Sequence, residues 1–143
     1  YGGADVNFSR IIPNTIRSVI NNKSPLIYTG AEHFIREFLY VDDAVDAYLS
    51  IADNIDTTKG NAYNIGSGEK ITIGKLVEKI LDKMPTDVKI EYRDRTFPEI
   101  NNQYLDSSKI KKDTGWEAKV GLDEGLSKTI AIYSQALGKK KNG

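Results

Sequence analysis

Between Thr72 and Met84 the apolar side chains Ile73, Leu76, Val77, Ile80, Leu81 and Met84 recur at the spacing of one helix face. That run stands directly behind an extended apolar segment, Asn61 to Ile65, and a tight Gly66-Ser67-Gly68 loop. A chain that places strand, glycine turn and amphipathic helix in succession must bury the helix against extended chain, which commits the protein to the α/β class. Other segments agree. Ile11, Ile12, Ile16, Val19 and Ile20 line one side of a helix expected over about Ile12 to Asn21, with Pro13 in or just before its first turn. Leu26 to Tyr28 and Glu37 to Val41 read as short strands, and Asp42 and Asp43 as the cap and first-turn acid of a following helix. Val88 to Tyr92 reads as a strand, and Gln103 to Leu105 as a brief extended piece. Asp106 and Ser107 cap a short helix that stops at Gly115, and Leu122 to Leu137 forms the last helix.

The strands are short and the helices alternate with them irregularly, so a small mixed α/β domain over residues 1–143 is expected rather than a complete doubly wound sheet. Residues 138–143, with three consecutive lysines, read as a frayed tail. The first residue is Tyr1 rather than Met, within a Gly2-Gly3 turn, and the sequence reads as part of a longer protein.

Twenty Lys and Arg balance twenty Asp and Glu, which argues against a surface that coats nucleic acid. No apolar run has the length of a membrane span, and no signal-peptide pattern opens the chain, so a cytoplasmic location is expected. With no Cys and only His33, a disulfide framework, thiolate chemistry and a His-based zinc site are all excluded. The glycine fingerprint of dinucleotide binding fails because Ile71 stands where a third Gly would follow Gly66 and Gly68. None of the eight tyrosines has Lys four positions later, and no nucleophile elbow surrounds a serine. No catalytic residue is assigned. What the sequence offers is arginines at element ends, Arg10, Arg36, Arg93 and Arg95, whose guanidinium forks suit phosphate.

Several ordered motifs carry a resemblance: Tyr1-Gly2-Gly3-Ala4-Asp5, Asn7 to Pro13, Arg36-Glu37-Phe38-Leu39-Tyr40-Val41-Asp42-Asp43, Tyr63 to Glu69, Gln103 to Lys109, Gly115-Trp116 and Leu122 to Leu126. Together they resemble the C-terminal half of the NAD-dependent nucleotide-sugar epimerases and dehydratases, the extended short-chain dehydrogenases. Within that family the Asn7 to Pro13 stretch, and Glu99-Ile100 followed by Gln103 to Asp106, are most similar to CDP-glucose 4,6-dehydratases. The resemblance implies an intact enzyme that oxidises a hexose at carbon 4 with NAD. Its Rossmann half, with the glycine fingerprint and Tyr-x-x-x-Lys, is not in this sequence, and this chain alone would bind no cofactor. The implied partners are a nucleotide-diphosphate sugar and that N-terminal half, in an enzyme that is a homodimer when intact.

By the same resemblance Arg10 lies near the substrate diphosphate, ahead of a helix start whose amides face the same anion. Leu26 and Tyr28 match the stretch that holds the nucleotide base, Arg36 and Arg95 the pair that clamps the diphosphate, and Glu99 a ribose-binding acid. Asn64 matches a motif asparagine with a turn-fixing role. Trp116 reads as an anchor under the last helix, and His33 as an exposed loop residue near the substrate entrance. Two other readings stand beside this one: a non-catalytic module that binds a nucleotide or a protein, and an inactive truncated fragment with an apolar face where the missing half would dock.

Overall fold

The computed structural model describes residues 1–94, 96 and 98–138. Arg10 sits in extended conformation at the head of α1 (Ile11–Ile20), and Pro13 falls within the first turn, where its missing amide hydrogen costs no helical bond. Asn22, in the left-handed region at φ 54°, lets the chain reverse after that helix. It then enters β1 (Leu26–Tyr28), a 3-10 turn at Ala31–His33 and β2 (Ile35–Glu37). The chain continues through α2 (Val41–Asp53), α3 (Ile55–Thr58), β3 (Lys70–Thr72) and α4 (Ile73–Asp82). It ends with β4 (Glu91–Arg93), β5 (Asn102–Gln103), α5 (Ser108–Thr114) and α6 (Leu122–Gly138).

The strands make two small ladders. β1 pairs in parallel with β4, Ile27 opposite Tyr92. β2 is central in the other, antiparallel to β3 with Arg36 opposite Ile71, and parallel to β5 with Arg36 opposite Gln103. Arg36 is thus fixed from both sides by strand pairing. Below these ladders α1, α4 and α6 share a core of Ile12, Ile16, Val19, Leu76, Ile80, Leu122, Leu126, Ile130 and Tyr133. Leu76, Ile80 and Leu126 are wholly buried, each side chain contributing about 1.5–3 kcal/mol by leaving water. Ile27, Ala31, Phe34 and Val77 join β1 to α4. This packing gives α4 its marked amphipathicity, and Thr72 caps it by accepting the Lys75 amide at 3.3 Å.

Several expectations need correction. Asn61 to Ile65 form no ladder. Tyr63 and Ile65 pack instead against the cluster of Ala47, Ile110 and Trp116, so apolar character there reflects burial under α2 and α5 rather than strand pairing. For the same reason Trp116 anchors α2 and α5, not the last helix. The strand expected at Glu37 to Val41 lies at Ile35–Glu37, and α2 starts at Val41 behind Tyr40, so Asp42 is a first-turn residue and not a cap. Asp43 is buried and accepts the Lys119 and Val120 amides at 3.0 and 2.9 Å, tying the chain ahead of α6 to α2. Pairing in the strand expected at Val88 to Tyr92 is confined to Glu91–Arg93. Helix α6 includes Gly138, and the rest of the expected frayed tail, 139–143, lies outside the described residues. No helix among the described residues is long and apolar enough to cross a membrane.

Candidate functional site

The start of α1, the edge strand β1 and the central strand β2 converge on one cavity of about 590 Å³. Each element delivers a side chain for a local reason. Arg10 precedes the first helical turn, where amides lack intrahelical partners and the helix dipole favours an anion. Leu26 and Tyr28 alternate with the buried Ile27, so the period of the strand turns both away from the core and toward the cavity. Arg36 stands in mid-strand between two partners, and Glu99 approaches from the segment between β4 and β5.

Five of the six residues singled out in the sequence, Arg10, Leu26, Tyr28, Arg36 and Glu99, therefore line the same cavity; the sixth, Arg95, lies outside the described residues. Arg93 does not join them: it closes β4 opposite Tyr28 and pairs with Glu91 at 2.9 Å. His33 is exposed in the 3-10 turn and pairs loosely with Glu32 at 3.5 Å, outside the cavity wall. Ser9, Asn14, Phe38 and Ile73 also contribute to the wall, and sequence reasoning did not select them. Asn14 had a signal, since it lies one helical turn after Arg10 and so on the same face.

Arg10 is mostly exposed and pairs with Asp5 at 3.0 Å. The Asp5 carboxyl is held below its ordinary range, chiefly by the Asn7 backbone amide and then by Arg10. Arg36 differs sharply. Its side chain is only 14% exposed, and its Nη1 donates to the Ile35 and Asn101 carbonyls at 2.9 and 3.2 Å. Its Nη2 donates to Glu99 Oε1 at 2.9 Å and to the Ile100 carbonyl at 2.7 Å. The guanidinium also lies 5.7 Å from the centre of the Phe34 ring.

The glycine loop is likewise engaged from within. Glu37, next to Arg36 on β2, accepts the Gly68 amide at 2.5 Å through Oε1 and the Leu105 amide at 2.8 Å through Oε2. A Cβ at Gly66 would come within 2.6 Å of that carboxylate, so a larger residue there would push it off the two amides it accepts. Sequence reasoning missed Glu37, because an acid serving a distant loop leaves no local pattern. Its occupation of the loop means that Gly66-Ser67-Gly68 does not fit a dinucleotide pyrophosphate.

Comparison with known proteins places the fold. Residues 4–129 match the GDP-mannose 4,6 dehydratase family. The dTDP-4-dehydro-6-deoxyglucose reductase of Escherichia coli is 32% identical over 111 residues, 78% of this chain and 34% of that protein. The probable GDP-L-fucose synthase 1 of Oryza sativa subsp. japonica is 32% identical over 141 residues, 93% of this chain and 42% of that protein. Among solved structures, UDP-glucose 4-epimerase from Thermotoga maritima with UDP-glucose superposes with a TM-score of 0.81 at 26% identity, covering 96% of this chain and 44% of the epimerase. The dTDP-glucose 4,6-dehydratase of Bacillus anthracis in complex with NAD gives 0.80 at 25% identity, covering 93% and 42%. The fold is thus that of the C-terminal part of nucleotide-sugar epimerases and dehydratases. The chain belongs to the GDP-mannose 4,6 dehydratase family within that class. It spans well under half the length of these relatives.

Proposed function

We propose that this chain is the nucleotide-sugar-binding part of an NAD-dependent nucleotide-sugar 4,6-dehydratase or epimerase. The observation that carries the reading is the convergence of Arg10, Leu26, Tyr28, Arg36 and Glu99 on one cavity. Two guanidinium groups and a helix start suit a diphosphate, the Leu26 and Tyr28 side chains form a wall for a base, and a carboxylate suits a ribose diol. Arg95 is proposed as the second arm of the clamp. The narrower likeness to CDP-glucose 4,6-dehydratases belongs to this proposal too.

In the intact enzyme NAD would accept and return the hydride at the sugar. The Gly66-Ser67-Gly68 loop is occupied by Glu37, and in this reading the chain's own residues neither hold the dinucleotide nor transfer the proton. Their part is to grip diphosphate and base, so that binding energy remote from the reacting carbon orients the hexose. The remainder of the protein, an N-terminal dinucleotide-binding half, is proposed to cover the exposed apolar stripe Val41, Val45, Tyr48 and Leu49 on α2. A cytoplasmic, homodimeric whole protein is part of the same reading.

Calorimetric titration of the chain with CDP-glucose, UDP-glucose and dTDP-glucose tests it. Saturable binding of at least one, weakened tenfold or more by Arg36→Ala, is the expected result, and the preferred nucleotide names the substrate class. A folded chain that gives no heat with any of the three would overturn the reading.

A further inference from the structure

The four terminal N–H groups of Arg36 are all engaged before any ligand arrives: two by the Ile35 and Asn101 carbonyls, one by the Ile100 carbonyl and one by Glu99 Oε1. Three of these partners are peptide carbonyls fixed to the strand ladder or to the chain just ahead of β5, since Asn101 O also receives the Ile35 amide at 2.9 Å. The fourth is a side chain on a flexible stem, 39% exposed at the cavity wall. A phosphate that is to take Arg36 takes it most readily from Glu99, because the carboxylate can swing aside on its own side chain whereas the three carbonyls are fixed in the backbone and would lose a donor.

We propose that Glu99 is an internal competitor for Arg36, and that it makes the cavity select ligands in which a diphosphate is joined to a vicinal diol. This rests on the nucleotide-site reading above and adds a rule of admission to it. A nucleoside diphosphate replaces every contact it breaks: phosphate oxygens take over the guanidinium, and the two ribose hydroxyls donate to the released carboxylate. Inorganic pyrophosphate offers only the first half of the exchange. It leaves Glu99 either still bound to Arg36, excluding the anion, or released to water beside a polyanion, where like charges repel. Arg10, mostly exposed and shared with Asp5, holds a bare anion only weakly by itself. The same carboxylate that favours the ribose thus rejects the bare anion, and its removal should move the two affinities in opposite directions.

Full-length chain, Glu99→Gln and Glu99→Ala are titrated with UDP, CDP and inorganic pyrophosphate, each protein being checked for a cooperative thermal transition. The alanine variant serves should the glutamine variant fail to fold. The wild-type chain is expected to bind its preferred nucleoside diphosphate at least about tenfold more tightly than pyrophosphate, and loss of the carboxylate should tighten pyrophosphate about fivefold while weakening the nucleotide. Pyrophosphate affinity that is unchanged or lower in the variants, with nucleotide still bound by the wild type, would overturn the competitor while leaving the nucleotide site standing. Pyrophosphate tightened in the variants of a chain that binds neither nucleotide would overturn the exchange with a diol. A wild-type chain and variants that bind none of the three ligands would overturn the nucleotide site and the competitor with it.

Discussion

Asp43 shows how much of this fold hangs on single acceptors. It is 2% exposed, and its two oxygens receive the Lys119 and Val120 amides, so one carboxylate of α2 accepts two backbone amides of the loop leading into α6. Asparagine would present one oxygen and one NH2, and the NH2 would face an amide that needs an acceptor. Asp43→Asn is therefore expected to cost about 2–3 kcal/mol, the penalty of a buried group left unpaired, read as a lowered urea midpoint with an unchanged slope. A loss below about 0.5 kcal/mol would mean that water serves the two amides equally well. From sequence this acid reads as a helix-start charge, because residue type and neighbours describe the first turn but not which distant amides meet it. Arg36 and Glu37 have the same history. That Arg36 belongs to a site was legible only through the family likeness, since the arginine spacing does not show convergence, whereas its saturation by Ile35, Glu99, Ile100 and Asn101 depends on a pairing of β2 with β5 across more than sixty residues.

Among the elements, those whose own pattern dictates their packing were readable. The run Ile73 to Asp82 forms α4 where its period requires, and Ile11 to Ile20 forms α1, because each has one apolar face and one place to bury it. Residues 61–65 were misread since a short apolar run is equally suited to a strand or to irregular chain pressed on a tryptophan, and only the missing ladder partner separates the two. Helix α4 is also tied to α6 through charge: Lys79 and Lys83 reach Asp123 at 2.8 and 3.3 Å. The Asp123 carboxyl is held below its ordinary range mainly by the Lys79 hydrogen bond, then by that of Lys83, and the Lys79 ammonium is raised by the same bond. A carboxyl depressed in the folded state stabilises that state above its unfolded value, near 4, and this contribution fades as pH falls through the lower folded value. Asp123→Asn should accordingly lower the urea midpoint at pH 7, and the difference from wild type should close as the pH falls through the lowered folded value of the carboxyl. Because all three side chains are at least partly exposed, 1 M NaCl should shrink the difference at pH 7 as well. A gap that persists at pH 2 would assign it to helix propensity instead.

At the scale of the molecule, α2 presents apolar residues on two sides. Ala47 packs on Ile110 and Trp116, while Val41, Val45, Tyr48 and Leu49 are 43–68% exposed. Val41, Ala44, Val45, Tyr48 and Ala52 share a helix face in the sequence, but periodicity marks an apolar face without naming what covers it, so the outward stripe was not legible there. The patch continues past the helix start. A Cβ at Gly2 would meet Val41, and one at Gly3 would meet the 44% exposed Ile132 of α6, so two glycines close the gap between these side chains. An apolar surface of this extent on a chain with zero net charge has little to oppose self-association. The wild-type chain is therefore expected to elute in gel filtration at a volume that shifts with concentration and to bind a hydrophobic dye. Val45→Lys, Tyr48→Gln and Leu49→Lys together put strong helix formers on the stripe and add charge without touching Ala47. The triple variant should elute as a monomer at every concentration, lose most of the dye signal and keep its urea midpoint, since each replaced side chain is already half or more in water. A fall in stability of more than about 2 kcal/mol would show instead that the stripe packs within the single chain, and the surface available to an N-terminal half would then have to be sought elsewhere.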